Sequence, residues 1–400
     1  MDSDTLSSMS PEEQAAFIQE LLDGPALEPP PGVTPDFENP GGSHASGYAI
    51  IIIGAALATI SVLLRMYSRV LLRRLKVEDA FLICALGLFA GHQYVMYQFA
   101  ITPGIEVHQW NIQLKSLPPI LYNIHLGSVF YGLVVMCLKA SILFDWIHIF
   151  SPQGQRGALF WTSHVLIWSN ILFYGVGTIV ELFQCTPREK IWNPLYEGGS
   201  CTIDMHAHNL ASGIINLISD LAILALPQRI IWKLNVSRGK KIGVSLLFAI
   251  GIFACVCAIT RLVYLLRVLS STDQLYTVST AGLWSIGEMT AGFMIIGIPS
   301  LPKVVKSIPV SESFVSVLRS WRRTSRAGTP SNSRRGLPSW YNRQTRKRRG
   351  QWELTDIENS QVSLKSTPGV VGHPPNAIMR EIRVDVTGQP KSEIDRTQNK

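Results

Sequence analysis

Runs of apolar residues long enough to cross a bilayer recur seven times along the chain, parted by short polar loops. They cover Gly47–Ser68, Ala80–Ile101, Pro118–Trp146, Gly157–Glu181, Met205–Ile230, Ile242–Leu266 and Tyr276–Ile298. Each holds about 20 residues or more, and at about 1.5 Å of rise per residue each spans a hydrocarbon core of roughly 30 Å. The pattern predicts an all-α membrane protein, a seven-transmembrane helix bundle over 47–302. An acidic, proline-rich arm (1–46) precedes it. A basic interfacial segment (303–326) and a disordered tail (327–400) follow.

Charge refines this picture. Only 16% of the 400 residues are charged and 47% are hydrophobic, unlike a soluble chain. The net charge of +8 is unevenly placed, because residues 1–46 contain no Lys or Arg. Arg69, Arg73, Arg74 and Lys76 follow the first stretch; Arg229, Lys233, Arg238, Lys240 and Lys241 follow the fifth. The loops after the second and sixth carry at most one cation. By the positive-inside rule the N-terminus lies outside and the C-terminus in the cytoplasm, with the plasma membrane as the expected location. A high isoelectric point here reports topology and gives no reason to invoke nucleic acid. Residues 1–40 lack the basic start and apolar run of a cleavable signal peptide, so the first stretch is expected to direct insertion.

Ser10-Pro11-Glu12-Glu13 spells a capping box with proline at the first helical position, and Gly24 supplies a stop. The prolines beyond predict a stiff, extended linker. A weakly ordered extracellular arm is the plain expectation, with a ligand-capturing lid as the alternative. Past the last stretch, Phe314, Val317, Leu318 and Trp321 recur at helical spacing beside Arg319, Arg322 and Arg323. That segment is expected to lie in the inner interface with its cations on anionic lipid.

Candidate chemistry is sparse. Cys185 and Cys201 are the cysteines of a predicted outer loop, and an oxidising compartment predicts a disulfide between them. Ionisable residues within a span are costly and mark polar networks or pathways. Asp220 and Glu288 fall at similar depth, with Asn216 one turn above Asp220 and Trp284 one turn above Glu288. Lys139 can either snorkel to the inner interface or reach Asp220. Glu181 and Arg261 both count close to the outer ends of their stretches, which leaves a pairing between them open. Such a network serves either to fix helix register or to sense a ligand or proton. No histidine pair shows metal-site spacing, and nucleophile, phosphate-loop and dinucleotide motifs are missing, so neither catalysis nor a metal is expected. The seventh stretch has no lysine for a retinal Schiff base, and no cofactor is expected.

Several short motifs recur in a fixed order. The outer loop reads Cys185-Thr186-Pro187, Trp192-Asn193, then Gly198-Gly199-Ser200-Cys201. Asp220, Leu226-Pro227, Ile231-Trp232 and Leu234 follow, then Lys240-Lys241, Phe248, Gly251 and Arg261. Asp273, Tyr276, Trp284, Glu288 and Pro299-Ser300-Leu301-Pro302 close the series, while Arg65, Arg69 and Glu78-Asp79 mark its start. In this order the chain resembles the fungal rhodopsin-domain family of integral membrane proteins, the satratoxin-cluster type. That family overlaps receptor-like pathogenicity proteins of filamentous ascomycetes.

The resemblance implies a fungal membrane protein that senses an extracellular small-molecule or surface cue without retinal, with a cytoplasmic G protein among the partners to consider. The alternative it implies is a transporter or accessory protein of a secondary-metabolite gene cluster. Two departures stand out. The family's Gly-x-Gly-x-His before the third stretch is here Gly104-Ile105-Glu106-Val107-His108, and the usual aromatic and arginine beyond Lys139 become Asp145 and His148. The second departure lies where a receptor would meet its transducer, which weakens the expectation of G-protein coupling.

Overall fold

The computed structural model describes residues 10–71, 75–150, 157–231 and 238–307. The interfacial cations Arg319, Arg322 and Arg323, the tail, Trp232 and the loop residues Arg73, Arg74, Arg156 and Lys233 lie outside the described residues. A short helix α1 (Pro11–Asp23) precedes the bundle. The seven long helices are α2 (His44–Leu71), α3 (Val77–Ile101), α4 (Leu117–Phe150), α5 (Ala158–Leu182), α6 (Met205–Ile231), α7 (Arg238–Ser270) and α8 (Gln274–Gly297). A short α9 (Leu301–Ser307) follows, and β1 (Cys185–Thr186) pairs antiparallel with β2 (Ser200–Cys201) between α5 and α6. All seven long helices hold a stretch long and apolar enough to cross a membrane.

Each helix packs on its chain neighbours, and α8 closes the ring by packing on both α7 and α2. α4 also touches α8 across the middle, so these two are the most buried of the seven. The composition of α8 explains its place. Its buried positions include Thr277, Ser279, Thr280, Ala281, Ser285, Thr290, Ala291 and Gly292, small side chains that admit neighbouring backbones. Phe89 of α3 meets Phe293 of α8 with ring centroids 5.2 Å apart, in a core that includes Leu82, Val134, Leu143, Ile286 and Met289. Residues facing outward, such as Ile52, Leu63, Val165, Trp168 and Leu172, are exposed and apolar, as a lipid-facing surface requires.

One end of the bundle carries the arm and the loops 102–116, 183–204 and 271–273; the other carries the basic loops. These are called the arm end and the basic end below. The arm departs from the weakly ordered expectation, because its backbone is tied to the loop between α3 and α4. Leu114 N–H donates to Gly24 O at 3.0 Å and Ala26 N–H to Ile112 O at 2.8 Å. Asn111 Nδ2 donates to Pro40 O at 3.1 Å, and Ser43 N–H to Ile105 O at 2.8 Å. Proline spends few donors in this segment, so a handful of residues such as Ala26 and Ser43 make the backbone bonds that anchor it. The capping box forms as the sequence predicts, with Glu13 N–H on Ser10 Oγ at 3.3 Å and Ser10 N–H on Glu13 Oε2 at 2.9 Å.

Lys115 Nζ sits 2.6 Å from Asp23 Oδ1, and this bond holds the Asp23 carboxyl below its ordinary range. A lowered carboxylate favours the docked arm above the free-aspartate range, and the contribution is lost as pH falls through the lowered value. Amide exchange at Ala26 and Leu114 is therefore expected to stay slow from neutral to mildly acid pH and to quicken only below the usual aspartate range. Close helix approach gives a second expectation. A Cβ on Gly297 would lie 2.7 Å from Ser61 O, whereas Gly87 has open space. Gly297→Ala should cost about 1–3 kcal/mol and Gly87→Ala should be neutral or stabilising by up to about 1 kcal/mol, read from thermal unfolding of the purified protein.

Candidate functional site

Four charged side chains meet in the middle of the bundle. Lys139 (α4) places its ammonium 2.9 Å from Asp220 Oδ1 (α6), so of the two options it reaches inward rather than snorkelling. It donates also to Asn216 Oδ1 at 2.7 Å, Asn216 O at 3.0 Å and Ser219 Oγ. Asn216 then bridges to the second pair, its Nδ2 donating to Glu288 Oε1 (α8) at 2.7 Å. Tyr131 OH donates to the same carboxylate at 3.0 Å, and Tyr174 OH donates to Asn216 Oδ1 at 2.7 Å. Arg261 (α7) stacks its guanidinium 4.4 Å over the Tyr131 ring and brings Nε to 3.5 Å from Glu288 Oε2. Two cations thus face two anions, which is how a low-dielectric interior holds charge.

The partner of Arg261 is a correction to the open pairing with Glu181. α7 runs on to Ser270, four residues past the expected boundary, so Arg261 lies deeper than counted and meets Glu288. Glu181 stays near the arm end of α5, close to the Ser128 hydroxyl, with Oε1 lacking any hydrogen-bond partner.

A cavity opens on each side of this network. Toward the arm end lies one of about 170 Å³, whose polar lining includes Tyr131, Tyr174, Glu181, His208 and Arg261. Met96, Phe99, Phe173 and Leu265 supply its apolar wall. Toward the basic end a larger, mostly apolar cavity of about 570 Å³ is lined by Lys139, Asp145, Asp220 and Glu288 along with Pro227 and Pro299. Asp220 Oδ2 has no hydrogen-bond partner.

At the arm end, Cys185 and Cys201 are joined, as the sequence predicts. The bridge brackets a turn through Pro187, a 3₁₀ segment Arg188–Ile191, and Asn193, whose Oδ1 accepts from Leu195 N–H at 3.2 Å. Gly198 and Gly199 both take positive φ, and a Cβ on Gly199 would lie 2.6 Å from Thr186 O, so this turn requires glycine. Trp192 sets its ring edge-on to Tyr122 at 5.0 Å, beside the cavity-lining Asn123 and Ile124.

Other partners were not legible in the sequence. His108 stacks between Trp110 (4.2 Å) and Tyr276 (4.7 Å) and brings Nδ1 to 2.6 Å from Asp273, the residue that caps α8. Glu106 explains its own departure from the family pattern. It holds φ +58, the left-handed region where glycine is at ease, and compensates with its carboxylate. Ser43 Oγ donates to it at 2.6 Å and Thr280 Oγ1 at 3.4 Å, while its N–H donates to Ser279 Oγ at 3.0 Å. Arm, loop and α8 are thereby joined at one side chain.

At the basic end Asp145 completes a second cluster. Arg65 grips it with Nη2–Oδ1 2.5 Å and Nη1–Oδ2 3.3 Å, a two-point contact, and Arg69 adds a third at 3.2 Å. The same arginines hold Asp79 (Arg65 Nε 3.3 Å) and Glu78 (Arg69 Nη2 2.9 Å). His148 Nδ1 lies 3.5 Å from Glu78 Oε2. Asp145 therefore enters a buried charge cluster that locks α2, α3 and α4 together, while His148 stays exposed at its rim with Nδ1 2.9 Å from Phe144 O.

Retinal does not fit these residues. α8 has no lysine between Gln274 and Gly297, and the mid-bundle Lys139 already meets four oxygen acceptors that a Schiff-base nitrogen would have to leave. Among the described residues no group of three His, Cys, Asp or Glu could hold a metal ion.

Removing one partner of a buried pair strands the other. Lys139→Met alone should destabilise by about 3–5 kcal/mol, and the double change Lys139→Met with Asp220→Leu should recover more than half of that loss. Thermal unfolding of the two variants and wild type checks both figures.

Comparison with known proteins places this geometry. The Fungal rhodopsin domain matches residues 64–307. Fugralins biosynthesis cluster protein 2 of Gibberella zeae is 38% identical over 292 residues, 72% of each chain. A SAT4 family membrane protein of Emericella nidulans is 32% identical over 199 residues, half of each chain. Satratoxin biosynthesis SC1 cluster protein 4 of Stachybotrys chartarum is 23% identical over 172 residues, 40% of this chain and 62% of that protein. No solved structure matches. Two of these relatives are named for biosynthesis clusters, and this chain is a multi-pass membrane protein belonging to the fungal rhodopsin-domain family.

Proposed function

We propose that this protein is a non-catalytic, receptor-like sensor of the fungal plasma membrane, with its arm end outside, that responds to a small molecule bound in the arm-end cavity. One observation carries the reading: Arg261, which lines that cavity, is held by Glu288, which lines the cavity of the basic end. From Glu288 the contacts continue through Asn216 to Lys139 and Asp220, so a ligand that draws Arg261 away alters the packing of α4, α6 and α8 together. A ligand shifts such an equilibrium only by its differential affinity for the two arrangements, and a hydrogen-bonding contact to Arg261 supplies one. Association with secondary metabolism, carried over from the relatives' names, makes a metabolite the natural cue.

A second reading, transport, is favoured by a different observation. Two cavities approach one charged barrier from opposite ends, the arrangement that alternating access requires. Transduction through a G protein is left to the experiment, since the basic end of α4 is committed to the Asp145 cluster.

The two readings separate in a deletion strain of the native fungus complemented with wild type or Asp220→Asn. Sensing predicts that the transcriptional response to culture extract is lost with the deletion and restored by wild type, while metabolite partition between mycelium and medium stays unchanged. Transport predicts accumulation in the mycelium. In purified protein, spin labels at the exposed Ile149 of α4 and Leu301, just past α8, should change separation when extract is added. An unchanged separation, together with accumulation in the mycelium, sinks the sensing reading.

A further inference from the structure

We infer that the arm-end cavity takes a neutral, mainly apolar molecule with a carbonyl-type acceptor at its deep end and a hydroxyl or amide donor at its outer end. This inference rests on the cavity being the ligand site proposed above and adds the chemistry of the occupant.

Two nearly inaccessible side chains line the cavity with bonding capacity to spare. Arg261 is 6% exposed, and its Nε and Nη2 have no hydrogen-bond partner, although Glu288 balances the charge from 3.5 Å. Glu181 is also 6% exposed, with Oε1 unpartnered. An unmade bond of this kind is costly in a dry interior, so each group selects an occupant that completes it. Guanidinium N–H groups only donate and therefore ask for an acceptor; a carboxylate oxygen asks for a donor.

Charge narrows the class. Arg261 is already neutralised by Glu288 and Lys139 by Asp220, while Glu181 has no cation against it among the described residues. An anionic ligand would bring an uncompensated negative charge into a low-dielectric cavity, so a neutral carbonyl suits Arg261 better than a carboxylate. Met96, Phe99, Phe173, Leu265 and Val278 ask for an apolar body between the polar ends.

Size sets the length. A cavity of about 170 Å³ admits a chain of about ten carbons, with the acceptor at the terminus toward Arg261 and the donor at the terminus toward Glu181.

The test uses four matched ten-carbon probes on the purified full-length protein: a straight chain with a methyl ketone at one end and a hydroxyl at the other, the ketone alone, the alcohol alone, and decanoate. Affinities are read from the rise in unfolding temperature with concentration. The hydroxyketone should bind at least tenfold tighter than any of the other three. Glu181→Ala should erase its advantage over the ketone and leave ketone affinity unchanged. Arg261→Lys, which keeps the charge beside Glu288, should weaken both. Tightest binding by decanoate overturns the inference, as does an undiminished hydroxyketone preference in Glu181→Ala, or no binding by any probe. If the hydroxyketone binds as expected but the Ile149–Leu301 separation stays fixed, the sensing reading fails and the ligand chemistry stands.

Discussion

A charge inside a bilayer must find its counter-charge, and this bundle is arranged around that need. Lys139, Asp220, Glu288 and Arg261 come from four different helices, so satisfying one fixes the rotation and depth of another. An apolar seam alone tolerates slippage by a turn, because leucine against leucine looks much the same one turn along. An ammonium that must meet Asp220, Asn216 and Ser219 at once does not. The small residues of α8 serve the same end, since only a thin helix lets Glu288 approach α4, α6 and α7 together.

The second cluster extends the constraint to the remaining helices on that side. Arg65 and Arg69 lie one turn apart on α2, so both guanidiniums face α3 and α4. Glu78 and Asp79 occupy the first turn of α3, where the helix dipole also favours negative charge. α4 belongs to both clusters through Lys139 and Asp145, six residues or roughly 9 Å apart. Movement of α4 along its axis is therefore opposed at two points, and a rotation that relieves one cluster strains the other.

Much of this was legible before any coordinates. The seven stretches, the Ser10 cap and the disulfide follow from local periodicity or compartment chemistry, while the cost of charge in lipid left Lys139 two options, the interface or Asp220. What could not be read was which partner each charge takes when several lie at similar depth. Arg261 went to Glu288 rather than Glu181 because α7 extends past its apolar run, and an apolar count stops where hydrophobicity stops, not where the helix does. Asp145 looked like a lost aromatic site and is instead the centre of a cluster built from α2 and α3, an assignment that needs three-dimensional neighbours. The docked arm was missed for a related reason. Its anchors are backbone groups on residues such as Ala26 and Leu114, and backbone bonding leaves no mark on side-chain composition.

The strengths of the contacts in the barrier bear on what it does. Full passage of a solute requires opening both pairs, and each buried pair broken without replacement costs about 3–5 kcal/mol. Lys139 would surrender bonds to Asn216, Ser219 and Asp220, a dense set of acceptors. Arg261 is different: it holds Glu288 by charge at 3.5 Å without a hydrogen bond, and two of its nitrogens bond to nothing. A molecule in the arm-end cavity can therefore complete Arg261 while the Lys139–Asp220 pair stays shut. Glu288 would keep Tyr131 and Asn216 as donors, so its charge is not stranded when the guanidinium shifts. That asymmetry suits a protein that registers a ligand on one side and relays a small displacement, and it suits a conduit less well.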